Sequence, residues 1–292
     1  MKEVNQIERG GSMNNKIIRN IAVFVMVVVF SGWIGVLVDS ILPEQPKGDT
    51  LGMGIWLVLP MLTVITIILM SKFNWKDIGI KPNLEGNTKW YVTSVLIYPV
   101  VTVIVLIIGG STNWIDLSRL DLRALMWAFS STLLIGFIKN IFEETVWRGF
   151  LTSQLVKLNL RDWKIYLIVG FVWGIWHIPY YLFFLLEADL QVVLPVNLAI
   201  FIIVSIMTMT CWSVMYIELY RVTKSIWPCV ILHTVEDSLI NPLVISGYIS
   251  IASGKEILIS PISGIITSIL YLAIGLGIRA YRRHSKPSVL ES

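Results

Sequence analysis

Residues 122–156 read LRALMWAFSSTLLIGFIKNIFEETVWRGFLTSQLV, an apolar run with Lys139, Glu143, Glu144 and Arg148 set inside it. A helix that crosses a bilayer needs roughly 20 mostly apolar residues. This stretch is longer than that and, beyond Arg123 at its start, carries four ionisable groups in its interior where a lipid-facing helix would carry none. Such groups cost several kcal/mol each at membrane depth and mark functional positions by default. The composition around the stretch agrees with a membrane reading. Of 292 residues, 55% are hydrophobic and 14% charged, with a mean hydropathy of +0.75. Soluble domains carry about a quarter charged residues. A soluble enzyme, a disordered chain and a disulfide scaffold are excluded. The two cysteines, Cys211 and Cys229, lie in apolar runs without metal-site spacing and read as buried side chains.

Working outward, seven further segments are long and apolar enough to span, near 17–38, 51–71, 90–110, 164–186, 190–220, 226–246 and 257–279. The expected fold is an all-α polytopic membrane protein of about eight transmembrane helices. The first segment exceeds a signal-peptide core and lacks a cleavage site, so it reads as a retained helix. No internal repeat or long hydrophilic domain is visible, and any activity must sit in the membrane region. Three parts are expected: an N-terminal tail with three spans (1–121), a catalytic core (122–246), and a last span with a basic tail (247–292). Of 23 Lys and Arg residues, 17 fall on one side of the eight-span arrangement, including Lys2, Arg9, Lys72, Lys81, Arg161, Arg221 and Lys286. Four fall on the other side: Lys47, Arg119, Arg123 and Lys255. The excess of basic residues places both termini in the cytoplasm. The net charge of +4 thus reports topology and contact with membrane lipid, and it gives no reason to invoke nucleic acid.

The remaining membrane-depth ionisable groups lie on the fifth and seventh spans: His177, and His233, Glu236 and Asp237. At about 1.5 Å per residue, Glu143, His177 and Asp237 each lie roughly 20 Å from the basic ends of their helices, and His233 about 13 Å. Three helices therefore bring two carboxylates and two imidazoles to similar heights. Glu144 and Arg148 are i,i+4 and can form an ion pair; Glu143 points about 100° away from Glu144. Lys139 is i,i+4 to Glu143 and could form a second structural pair. Glu236 faces away from the His233–Asp237 side and reads as a supporting or cavity-lining group. Trp173 lies one turn before His177. Gly170 and Gly174 favour close helix packing, and Pro179 removes a backbone hydrogen bond beside His177.

Glu143-Glu144-Thr-Val-Trp-Arg148 resembles the E-E-x-x-x-R motif of the CPBP family of intramembrane proteases, which includes type 2 CAAX prenyl proteases and bacterial Abi, or bacteriocin self-immunity, proteins. Trp173-Gly-Ile-Trp-His177 is similar to its F-x-x-x-H motif, with Trp for Phe. His233-Thr-Val-Glu-Asp237 is similar to its H-x-x-x-N/D motif. The likeness covers about residues 122–246. It implies an integral protein of a bacterial cell membrane that hydrolyses a peptide bond in a peptide or membrane-anchored, prenylated or unprenylated, substrate. It also implies a site open to the cytoplasmic side. By the same resemblance Glu143 and His177 would activate water, His233 and the residue at 237 would stabilise the oxyanion, and Glu144 and Arg148 would brace the site with Trp173. An ionised Asp237 cannot donate to an oxyanion, so it is protonated, orients His233, or ligates a metal. H-E-x-x-H is absent, yet Glu143, His177, His233 and Asp237 form an N/O set that suits zinc as well as a metal-free, glutamate-type mechanism. Two other classes compete: a non-enzymatic immunity or adaptor protein, and a small transporter. No repeat pairs the charged helices with the others, which counts against transport.

Overall fold

Eight helices long and apolar enough to cross a membrane stand in the computed structural model, which describes residues 2–71 and 75–285. The spans are Met13–Ile41, Leu51–Ser71, Thr88–Ser111, Leu122–Lys157, Asp162–Phe184, Leu198–Thr223, Trp227–Ile245 and Ile265–His284. They agree with the sequence expectation in number and order. Two boundaries differ, and proline is the reason both times. The sixth span starts at Leu198, capped by the Asn197 side chain accepting from the Ile200 N–H, and a separate short helix, Glu187–Val193, precedes Pro195. The eighth starts at Ile265, beyond Pro261, with Glu256–Ile259 as a separate turn. Proline has no N–H to continue a helix through. Two short strands, absent from the sequence reading, pair antiparallel between Ile115–Asp116 and Ser250–Ile251.

The basic clusters gather at one end. There Lys16 donates to the Ser71 carbonyl, Lys157 pairs with Asp77 at 2.6 Å, and Lys89 reaches Tyr281. Asp162 receives Arg221, Arg279, Arg282 and Arg283 at 2.7–3.2 Å, and buried Glu218 receives Arg221 and Arg282. These pairs tie the fifth, sixth and eighth spans together. Lys72, Lys286 and the side chains of Lys2 and Arg9 lie outside the described residues.

One apolar core, from Phe24 to Ile278, draws on all eight spans. The fifth and sixth spans cross closely because Gly170 and Gly174 carry no side chain. A Cβ at Gly170 would lie 2.5 Å from the Thr210 Cα, and one at Gly174 would lie 2.9 Å from the Ile206 Cα. The fourth span is the least enclosed: 11% of its most apolar window is buried, against 28–67% for the others.

Three spans widen locally into π-helix, at Thr145–Thr152, Tyr180–Phe184 and Glu236–Ile240. Each segment begins just after a chemistry-bearing pair or ring: Glu143 and Glu144, His177, and His233. Such bulges cost regular hydrogen bonding and concentrate at functional sites. The break at His177 follows from Pro179. The Trp176 carbonyl is taken instead by the Trp56 indole N–H at 2.8 Å, and Trp56 stacks between Trp176 and Tyr180.

Candidate active site

Glu143, His177, His233 and Asp237 all line one cavity of about 210 Å³, together with Lys139, Trp173 and Glu236. The matched depths read from helix rise are thus a real convergence of the fourth, fifth and seventh spans. Glu144 and Arg148 lie beside it, both fully buried, with Arg148 Nη1 2.8 Å from Glu144 Oε1. The guanidinium sits 4.2 Å from the ring centres of both Trp173 and Tyr216. The carboxylate and the two aromatic faces offset the buried charge, while Arg148 Nε and Nη2 and Glu144 Oε2 have no hydrogen-bond partner among the described residues.

Both imidazoles are held through Nδ1. His177 Nδ1 lies 2.9 Å from the Trp173 carbonyl oxygen, which can only accept, so Nδ1 carries the proton. His233 Nδ1 lies 2.9 Å from Glu144 Oε1 and donates to it in the same way. In each ring Nε2 is left for a ligand. Glu144 therefore braces Arg148 and also sets the orientation of His233, a second duty that the motif spacing did not reveal. Trp173, where the family pattern has Phe, points its indole N–H at Glu143 Oε2 at 3.3 Å. The larger ring thus both walls the pocket and steadies the carboxylate.

Lys139 is more than a helix-surface pair. Its Nζ lies 3.4 Å from Glu143 Oε1 and 2.9 Å from Asp237 Oδ2. Asn140 adds a 2.7 Å hydrogen bond to the same Asp237 oxygen, and Asn241 a 3.4 Å one to the other. The partners of Asp237 are accordingly Lys139, Asn140, Asn241 and the neighbouring Glu236 carboxyl, and among the described residues no hydrogen bond joins it to His233. Asn140 had a legible signal, an amide inside an apolar run one turn before Glu144. Tyr216 had none, being one more aromatic residue in an apolar helix.

One expectation is corrected. Glu236 turns into the cavity, because the π-helical turn it opens widens the helix and shifts the faces that an α-helical wheel assigns. Its donor atoms lie within 4.8 Å of those of His233 and Asp237, a trio close enough to share a cation. Of the set that the sequence offers for a metal, Glu143, His177, His233 and Asp237, two members belong to this trio. The cavity runs from these groups towards Leu185, Val193, Phe201 and Ile245, at the ends of the spans remote from the basic clusters. Trp147, Phe150 and Leu151 are fully buried.

A carboxylate and two imidazoles thus meet within a helical membrane bundle. Residues 125–239 match the family model described as type II CAAX prenyl endopeptidase Rce1-like, so the segment carrying all three motifs is similar to the CAAX-protease family. That family is one of proteases acting on membrane-associated substrates. No curated protein matches the chain.

Proposed function

We propose that the protein is an intramembrane endopeptidase in which Glu143 and His177 activate the attacking water. The carrying observation is that Glu143 and His177 reach one cavity from different spans, with His177 Nδ1 already committed to a backbone carbonyl. His177 Nε2 then offers a lone pair that accepts a hydrogen bond from one water O–H, which stays on the oxygen and orients it. Glu143 takes the other proton as that oxygen bonds to the carbonyl carbon of the scissile peptide. The tetrahedral oxyanion is met by the Lys139 ammonium and by Nε2–H of doubly protonated His233. Glu143 then returns its proton to the leaving nitrogen, the C–N bond breaks, and a carboxylic acid and an amine depart. Asp237 serves by holding Lys139 in place, which removes the difficulty of a carboxylate facing an oxyanion.

A zinc ion, if bound, would be held by His233, Glu236 and Asp237 and would polarise the scissile carbonyl. It would compete with Lys139 for Asp237, and the water-activating step needs Glu143 and His177 only. Zinc analysis of purified protein before and after chelation, with cleavage measured alongside, tests this assignment. Full cleavage by metal-free protein is expected, and loss that zinc restores would move the oxyanion contact to the metal.

The test of the reaction compares membrane-proteome cleavage fragments in cells carrying wild type and Glu143→Gln. Glutamine keeps shape and hydrogen bonding but removes the basic oxygen, so cleavage should fall by about 10²–10⁴ at unchanged protein level. Identical fragments in both would leave a binding or immunity role for the cavity.

A further inference from the structure

We propose that a separate cavity at the basic end, between residues 75–83 and the turn joining the sixth and seventh spans, binds the phosphate of an anionic phospholipid. The inference is independent of the endopeptidase reading.

This cavity has a volume of about 480 Å³, and Trp75, Lys76, Lys81, Asn83 and Lys224 are among the residues that line it. The second span ends at Ser71, the third begins at Thr88, the sixth ends at Thr223 and the seventh begins at Trp227. The cavity therefore lies level with four span ends, where phospholipid headgroups lie. No carboxylate stands among its described lining residues. Asp77, next to Lys76 in the chain, pairs instead with Lys157 at 2.6 Å. Three ammonium groups around one hollow attract a phosphate and repel the cation of a zwitterionic headgroup. Trp75 and Leu84, 41% and 54% exposed, flank the lysines. Indoles settle at the membrane–water interface. Exposed apolar groups beside the cations suit a lipid, which brings acyl chains, better than free phosphate.

The backbone beneath the lysines is fixed. The Ile226 N–H donates to the Gly79 carbonyl at 3.0 Å, and the Trp227 indole N–H to that of Ile80. The Ser225 hydroxyl donates to the Lys81 carbonyl at 3.2 Å, and the Asn83 amide to that of Thr223 at 2.9 Å. Gly79, at φ +75°, permits this approach, because a Cβ there would lie 2.7 Å from the Lys224 carbonyl oxygen. Lys224, which caps the sixth span, is itself left-handed at φ +54°. Glycine or asparagine is at ease there, whereas lysine is strained. A cation lining the cavity is what the strained residue supplies.

The experiment uses the delipidated full chain in neutral detergent. The probes are dioleoylphosphatidylglycerol, dioleoylphosphatidylcholine and inorganic phosphate, with bound lipid counted by native mass spectrometry. Phosphatidylglycerol should bind about tenfold more tightly than phosphatidylcholine. Near an anionic headgroup each lysine adds about fivefold to binding. Lys224→Gly should therefore weaken phosphatidylglycerol about fivefold, and Lys76→Gln, Lys81→Gln and Lys224→Gly together about a hundredfold. Lipid-free Lys224→Gly should melt no lower than wild type, because glycine suits the left-handed backbone. If that variant misfolds, Lys224→Asn, neutral and tolerant of the same conformation, takes its place. Lys255→Gln, between the seventh and eighth spans, should bind as wild type. Unchanged phosphatidylglycerol binding by the triple variant would overturn the site. An equal loss in Lys255→Gln would assign binding to net charge and overturn it too. Equal retention of the two lipids would overturn recognition of the phosphate's charge. Displacement of phosphatidylglycerol by an equal concentration of inorganic phosphate would make the hollow a free-phosphate site and overturn the lipid as its occupant.

Discussion

Lys139 shows how much one side chain can change the reading of a motif. Sequence spacing offers it as a helix-surface partner of Glu143. Its ammonium instead lies between Glu143 and Asp237, and Asn140 completes the shell around Asp237. If the ammonium stabilises the oxyanion, Lys139→Met should lower kcat by about 10²–10³, the usual loss on removing one such donor. It also strands Asp237 without its cation, and breaking a buried pair from one side costs about 3–5 kcal/mol where burial is complete. Lys139 is one-third exposed, so the cost here is smaller. The double variant Lys139→Met with Asp237→Asn removes both charges and puts an amide donor at 237. It should recover melting temperature and part of the lost kcat. Recovery of stability with no gain in kcat would make Lys139 a purely structural partner.

At the scale of elements, the site depends on how closely the helices approach and where they cease to be α-helical. The fifth span carries Trp173 and His177 on a segment whose Gly170 and Gly174 touch the sixth span's backbone. Gly170→Val would drive its side chain into Thr210, at a cost of about 1–3 kcal/mol for overpacking. Lower melting temperature and lower cleavage are expected together, because moving the fifth span also moves His177. A valine variant with wild-type stability and cleavage would show that the crossing has slack. The π-helical segments matter in the same way. The one at Glu236–Ile240 turns Glu236 inward beside Asp237, and the one after Pro179 releases the Trp176 carbonyl to Trp56.

Over the whole molecule, charge is segregated by end. At the basic end Asp162 and Glu218 gather four arginines from the sixth and eighth spans, far from the catalytic cavity. Asp162→Asn leaves those guanidinium groups without their shared carboxylate. It should lower the detergent melting temperature, more at low salt than a surface pair would, while kcat of the remaining folded enzyme stays near wild type. A fall in kcat with no change in melting temperature would instead link this cluster to the chemistry.

The sequence by itself determined the span count, the end at which the basic residues gather and that Glu143, His177, His233 and Asp237 are the ionisable groups that converge within the bundle. Each follows from local physics: twenty apolar residues make a span, and ionisable groups inside one are too costly to be incidental. It also made Pro179 legible as a break. Only the tertiary structure decided what those groups touch. Glu144 orienting His233, Lys139 held by Asp237, and Arg148 between Trp173 and Tyr216 join residues 25 to 98 positions apart on different spans, and no spacing rule encodes such contacts. The inward turn of Glu236 was hidden because helix periodicity assumes a pitch that the π-helical turn abandons. The direction of the cavity was hidden because depth along a helix says how far a group lies from each end of its span, whereas packing between helices says towards which end the space around it runs.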